Sequence, residues 1–236
     1  MLLHIFANDD ASHAFGPDSP EAQAALEGSD RNVAQMIDAV KAAGIAAQTD
    51  IVVVSDHGFL PLGQQLQPNA MFKQDGLLEV NDRGIVTAWQ AYFHSAGGSG
   101  FVYLNDPDDA APAGRVRQLL DRLAADPADG VERVWTAREL QAAGAAPEAT
   151  FALTMKPGFY SGNGHATLLT TSASKGGHGF DPARPELHAS LIMAGPDVPA
   201  HGDLGIIHMT QIGPTLAGWF GVQLSPSADK PLTLPR

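Results

Sequence analysis

The chain has 236 residues, 44% of them apolar and 17% charged. That is the length of one large domain, or of one domain carrying a substantial insertion, with the balance of a globular protein. A net charge of −12 argues against a sequence-general nucleic-acid binder, which needs a basic face. The absence of cysteine removes disulfides, thiolate catalysis and thiolate-held zinc, so any metal must rest on histidine and carboxylate.

No apolar run approaches the roughly 20 residues of a membrane span. The first residues, MLLHIFANDD, carry neither a basic region nor a signal-peptide cleavage pattern. Residues 2 to 7, LLHIFA, predict a short buried strand ending at Asn8, Asp9 and Asp10. A helix follows, with Ser19 at its N-cap, Pro20 in the first helical position and Glu21 near the positive end. Val33, Met36, Ile37 and Val40 recur at helical spacing, and Gly44 is the expected stop.

Four β-branched or apolar residues then lead into Ser-Asp-His-Gly, as IVVVSDHGF (51 to 59). Such a run reads as a strand buried on both faces of a mostly parallel sheet, and sites in open α/β sheets lie at the carboxyl ends of such strands. The strand, helix, strand order implies a parallel pair with a right-handed crossover.

Beyond Leu60 the texture changes. GLLEV, GIVTAW and GFVYLN are short strands, and helices are expected around 115 to 125 and 137 to 143. Val116, Leu119, Leu120 and Leu123 form an amphipathic stripe on the first of these. Residues 61 to 150 are thus expected to form an inserted α+β subdomain in a core made of 1 to 60 and 151 to 236. Core strands return as FALTM, LLTTS and HASLIMAG, and HMTQIGPTLAGWFGV is a final helix with Met209, Ile212, Leu216 and Phe220 on one side.

Carboxylates and imidazoles gather just after the core strands: Asp9 and His13 after the first, Asp56 and His57 after the second, and His178 in a Gly-rich loop before a later one. Each alone has a plain reading, as a turn cap or a surface histidine. Together they are two carboxylates and three imidazoles at positions a doubly wound sheet brings to one edge, enough for more than one zinc site of three or four ligands. The remaining histidines, His4, His94, His188, His201 and His208, read as strand, loop or flanking residues.

Four blocks in register resemble the alkaline phosphatase superfamily, in its type I phosphodiesterase and nucleotide pyrophosphatase branch: DDASHAFGP, VVVSDHGF, GGHGFDPARPELHASLIMAGPDV and MTQIGPTLAGWFG. The resemblance covers most of the chain and is weakest over 61 to 150. It implies an alkaline-phosphatase-like α/β fold and a phosphodiesterase-type hydrolase acting on a small phosphoester, with two divalent metal ions, zinc, clamping an in-line displacement at phosphorus. Residue by residue, Asp9, His13 and His178 resemble the ligands of one zinc ion, and Asp56 and His57 part of the set for the second. His165 and Lys175, flanking the metal loop, are candidates for contacting substrate. Relatives of this kind are often periplasmic or secreted.

The sequence also departs from the pattern. In the family, a further strand with an aspartate for the second metal, and then a Thr or Ser nucleophile, precede the block that DDASHAFGP resembles; no residue here matches either. Thr170, Thr171, Ser172 and Ser174 read as polar loop residues, so no nucleophile is assigned. The chain is therefore expected to be the C-terminal part of such an enzyme, lacking the first core strand, short of ligands at its second metal site and exposing a sheet edge open to self-association. Phosphomonoesterase, phosphonate hydrolase and phosphoglycerate mutase-like chemistries share these metal blocks, and a non-catalytic metal- or partner-binding remnant is the alternative of another class.

Overall fold

The computed structural model describes residues 1–198, 202–224 and 229–234; His201 lies outside them. In chain order come α1 (Ala7–Phe15), α2 (Pro20–Ala42), β1 (Ile51–Val54), β2 (Leu60–Leu66) and α3 (Asn69–Gln74). The strands β3 (Leu78–Val80), β4 (Val86–Trp89), β5 (Ala91–Ser95) and β6 (Ser99–Leu104) precede α4 (Ala110–Ala125). After β7 (Val131–Thr136) and α5 (Ala137–Ala142) follow β8 (Phe151–Met155), β9 (Gly158–Ser161), β10 (Leu169–Thr171), β11 (Gly176–Gly177), β12 (Leu191–Ala194) and α6 (Ile212–Trp219). By backbone packing the chain divides into two compact units, one of Met1–Ser29 and Gly58–His188, the other of Asp30–His57 and Ala189–Arg236.

In the first unit, β5, β6, β8 and β7 form an antiparallel sheet in that order. β8, at 151 to 155, lies between β6 and β7, so this sheet draws on both stretches that the sequence separates at 150. β6 shows why it is a strand: its residues alternate strictly between half-buried and buried, the period-two pattern of a sheet with one face on a core. The stripe on α4 is buried as expected, with Val116, Leu119, Leu120 and Leu123 joining Phe72, Phe93, Val102, Leu153 and Met155 in one apolar core. Asp109 caps α4 by accepting from the Ala111 amide.

A second sheet is built around β2. β9 runs parallel to it, while β10 and β11 pair with it antiparallel, at Leu66 to Gln64 and at Leu60 and Pro61 respectively. This arrangement carries the Gly-rich loop of residues 172 to 179 onto the first unit.

The expected strand over 2 to 7 is not formed. Residues 1 to 6 have no regular structure, Leu2 and Phe6 are exposed, and α1 begins at Ala7. With no strand beside them, these residues follow local preference, and Asp9 and Asp10 in the first turn of α1 suit its positive end. α2 behaves as read: the Ser19 hydroxyl accepts from the Ala22 amide, Pro20 opens the helix, and it stops two residues before Gly44.

The second unit contains β1 and β12, paired antiparallel from Ile51–Ala194 to Val54–Leu191. The parallel partner expected for β1 was the strand over 2 to 7; without it, β1 takes the antiparallel one. The ribbon is not buried on both faces either, since Val53, Val54 and Ile192 are exposed. On α6 the predicted apolar side is only partly covered. Met209 and Phe220 are exposed, and the buried residue is Thr215, whose hydroxyl donates to the Gln211 carbonyl and accepts from the Leu232 amide.

Candidate metal centre

α1 places Asp9 and His13 four residues apart, on one face of the same helix. His13 Nε2 stands 3.7 Å from Asp9 Oδ2, and both side chains are partly exposed. Its other ring nitrogen, Nδ1, is 3.0 Å from the Gly176 carbonyl oxygen. A carbonyl only accepts, so Nδ1 carries a proton, and Nε2 is the ring nitrogen turned toward Asp9.

The Gly-rich loop brings the third residue. The His178 ring lies edge-on to His13, with centroids 5.0 Å apart. Backbone bonds lock the loop against α1 and the β5–β6 turn. The Lys175 amide donates to the His13 carbonyl at 2.8 Å, and the Gly98 amide donates to the His178 carbonyl at 2.8 Å.

Phe59 completes the corner: its ring meets His13 at 4.9 Å and His178 at 5.4 Å, edge-on to both. It is positioned through Gly58, whose amide donates to the Leu187 carbonyl. A Cβ at Gly58 would stand 2.1 Å from the Glu186 carbonyl oxygen, so that position admits only glycine. Sequence reading saw the histidines and missed Phe59. The signal was present, an aromatic residue directly after Asp-His-Gly.

Asp56 and His57 end the first segment of the second unit. Asp56 Oδ2 lies 3.6 Å from His57 Nε2; the Asp56 side chain is almost fully exposed and that of His57 mostly buried. Of the two substrate candidates, Lys175 is exposed and its backbone bridges His13 and Leu62. His165 lies against the β3–β4 turn instead, where a Cβ at Gly84 would be 4.0 Å from its Nε2. Among the polar residues near the loop, Thr170 and Thr171 sit in β10 and Ser172 is buried.

Tyr160, on β9, is also drawn to this corner. Burial raises the pKa of its phenol, and the negative charge of Asp9 adds to the effect.

Asp9 and His178 offer ligand atoms within 4.8 Å of each other, and His13 Nε2 is 3.7 Å from Asp9, so carboxylate and imidazole gather here as a divalent cation requires. Two atoms on one tetrahedral zinc, each at about 2.0–2.2 Å, stand about 3.4 Å apart, close to the His13–Asp9 separation. The Nδ1–H bond to a carbonyl is the usual outer support of a metal-binding histidine. No helix among the described residues is long and apolar enough to cross a membrane.

Solved structures of known proteins share this fold. Human ectonucleotide pyrophosphatase/phosphodiesterase 5 is similar in structure with a TM-score of 0.72 at 15% identity, over 94% of this chain and 54% of that one. Its murine counterpart gives 0.59 at 18% identity, over 80% and 45%. An inactive form of the murine protein in complex with AMP gives 0.57 at 18% identity, with the same coverage. This chain therefore has their alkaline-phosphatase-like α/β fold and spans about half their length. No curated protein matches it. The model of the type I phosphodiesterase / nucleotide pyrophosphatase family matches residues 1–181, and the chain belongs to that family.

Proposed function

We propose that this chain carries the metal-binding part of a phosphodiesterase or nucleotide pyrophosphatase-type hydrolase. Asp9, His13 and His178 hold one zinc ion, and Asp56 and His57 contribute to a second. The observation that carries this reading is His13: its Nδ1 is committed to the Gly176 carbonyl while its Nε2 faces Asp9, with His178 beside it. This orientation supports a ligand role for His13, since metal-binding histidines commonly donate their other ring N–H to a carbonyl.

When bound, such ions polarise a phosphoryl oxygen and neutralise charge that develops in an in-line displacement. The chain's own residues orient and seclude. Phe59 fixes both imidazole planes, and the loop's backbone bonds hold His178 against α1. A nucleotide phosphoester is the favoured substrate class, supported by the AMP held by the murine relative.

The test is zinc per folded chain after dialysis at neutral pH, for the parent and for His178→Ala. At least one equivalent in the parent, with one lost in the variant, supports the reading. A parent that retains no zinc overturns it. Hydrolysis of a nitrophenyl phosphodiester by the zinc-loaded chain then separates an enzyme from a metal-binding remnant.

A further inference from the structure

Tyr160 is half-buried on β9, and its ring is seated by two glycines. A Cβ at Gly177, the residue before His178, would lie 2.8 Å from Tyr160 Cε2. A Cβ at Gly97 would lie 2.8 Å from the phenol oxygen and 2.5 Å from the His178 carbonyl oxygen. The hydroxyl is thus held close to the backbone of the metal loop, near enough to Asp9 to feel its charge. Phe180 flanks the ring at 6.5 Å. No hydrogen bond to another described residue engages the hydroxyl, and it is open to solvent, so its donor is available to a ligand. The ring is held by Gly97, Gly177 and Phe180, and its hydroxyl stays available beside the His178 loop.

We propose that Tyr160 contacts substrate: its hydroxyl donates a hydrogen bond to a phosphoryl oxygen of the ester held beside Asp9, His13 and His178. The inference rests on the metal-centre reading and adds to it a specific recognition residue. A phenol suits the task. It is neutral with its proton on near pH 7, so it can sit beside the Asp9 carboxylate without repulsion and still offer a donor to an anionic oxygen. Its ring, with two torsions and packing on Gly97, Gly177 and Phe180, keeps that donor fixed.

The test uses the full chain, zinc and inorganic phosphate, with Tyr160→Phe as the variant. Phenylalanine preserves the ring packing, so an unchanged thermal melt and an unchanged zinc stoichiometry are expected. Phosphate affinity, measured by calorimetry on the zinc-loaded chain, should fall roughly ten-fold or more, the loss of one hydrogen bond to a charged group. Tyr92→Phe, on β5, should leave phosphate affinity unchanged. Equal phosphate affinity in the parent and Tyr160→Phe, both with full zinc, overturns the role of Tyr160 and leaves the metal centre standing. Zinc binding without phosphate binding in the parent overturns it as well. Failure of the parent to bind zinc sinks the metal-centre reading itself, and this inference with it.

Discussion

A methyl group added at Gly58 meets the Glu186 carbonyl oxygen at 2.1 Å, a backbone atom that cannot swing aside as a flexible side chain could. Gly58→Ala must therefore push apart the bond from its own amide to Leu187 and carry Phe59 with it. We expect a loss of roughly 1–3 kcal/mol in urea denaturation, typical of overpacking, accompanied by weaker zinc retention; unchanged stability would mean the loop relaxes freely. At this scale the sequence was informative about chemistry and poor about support. Asp9, His13 and His178 stood out because acid and imidazole at strand ends are distinctive. Phe59 and Tyr160 did not, because an aromatic residue reads as core until its neighbours in space are known.

The cap of α5 shows what one element contributes. The Thr136 hydroxyl accepts from the Glu139 amide while the Glu139 carboxylate accepts from the Thr136 amide and hydroxyl, a reciprocal capping box. Those bonds to Thr136, and a further one from Arg133, lower the Glu139 pKa from 4.5 to about 2. A carboxyl with a depressed folded pKa stabilises the fold above its ordinary pKa and loses that contribution as pH falls through the depressed value. Thermal melts of the parent should thus lose stability between pH 4.5 and about 2 more steeply than those of Glu139→Gln. Parallel curves would mean the cap is formed equally well by the protonated acid. The helix over 137 to 143 was legible in the sequence, and so were α2 and α4, because apolar spacing and caps act within one turn. The first expected strand is absent for the complementary reason: a strand needs a neighbour, residues 2 to 6 pair with no strand among the described residues, and α1 sets Asp9 and His13 on one helical face.

Across the molecule the two units differ in what supports them. The first holds a four-stranded sheet whose inner strands bury Val102, Leu153 and Met155 completely under α4. The second holds a two-stranded ribbon with exposed Val53, Val54 and Ile192, and such a ribbon is marginal on its own. Hydrogen exchange should accordingly find β6 and β8 amides the slowest and β1 and β12 amides much faster. Equal protection in both sheets would show that the ribbon is stabilised by more than its own pairing.

The sequence by itself determined the class of the fold, most of the helices and strands, and the residue types available for a metal, because apolar periodicity, caps and the chemistry of His and Asp are local properties. Only the tertiary structure decided which strands pair, that β1 lies antiparallel to β12, and that α1 and the loop at His178 meet so that His13 turns one nitrogen to a carbonyl and the other to Asp9. Pairing and side-chain orientation depend on contacts between residues far apart in the chain, and no local pattern encodes those distances.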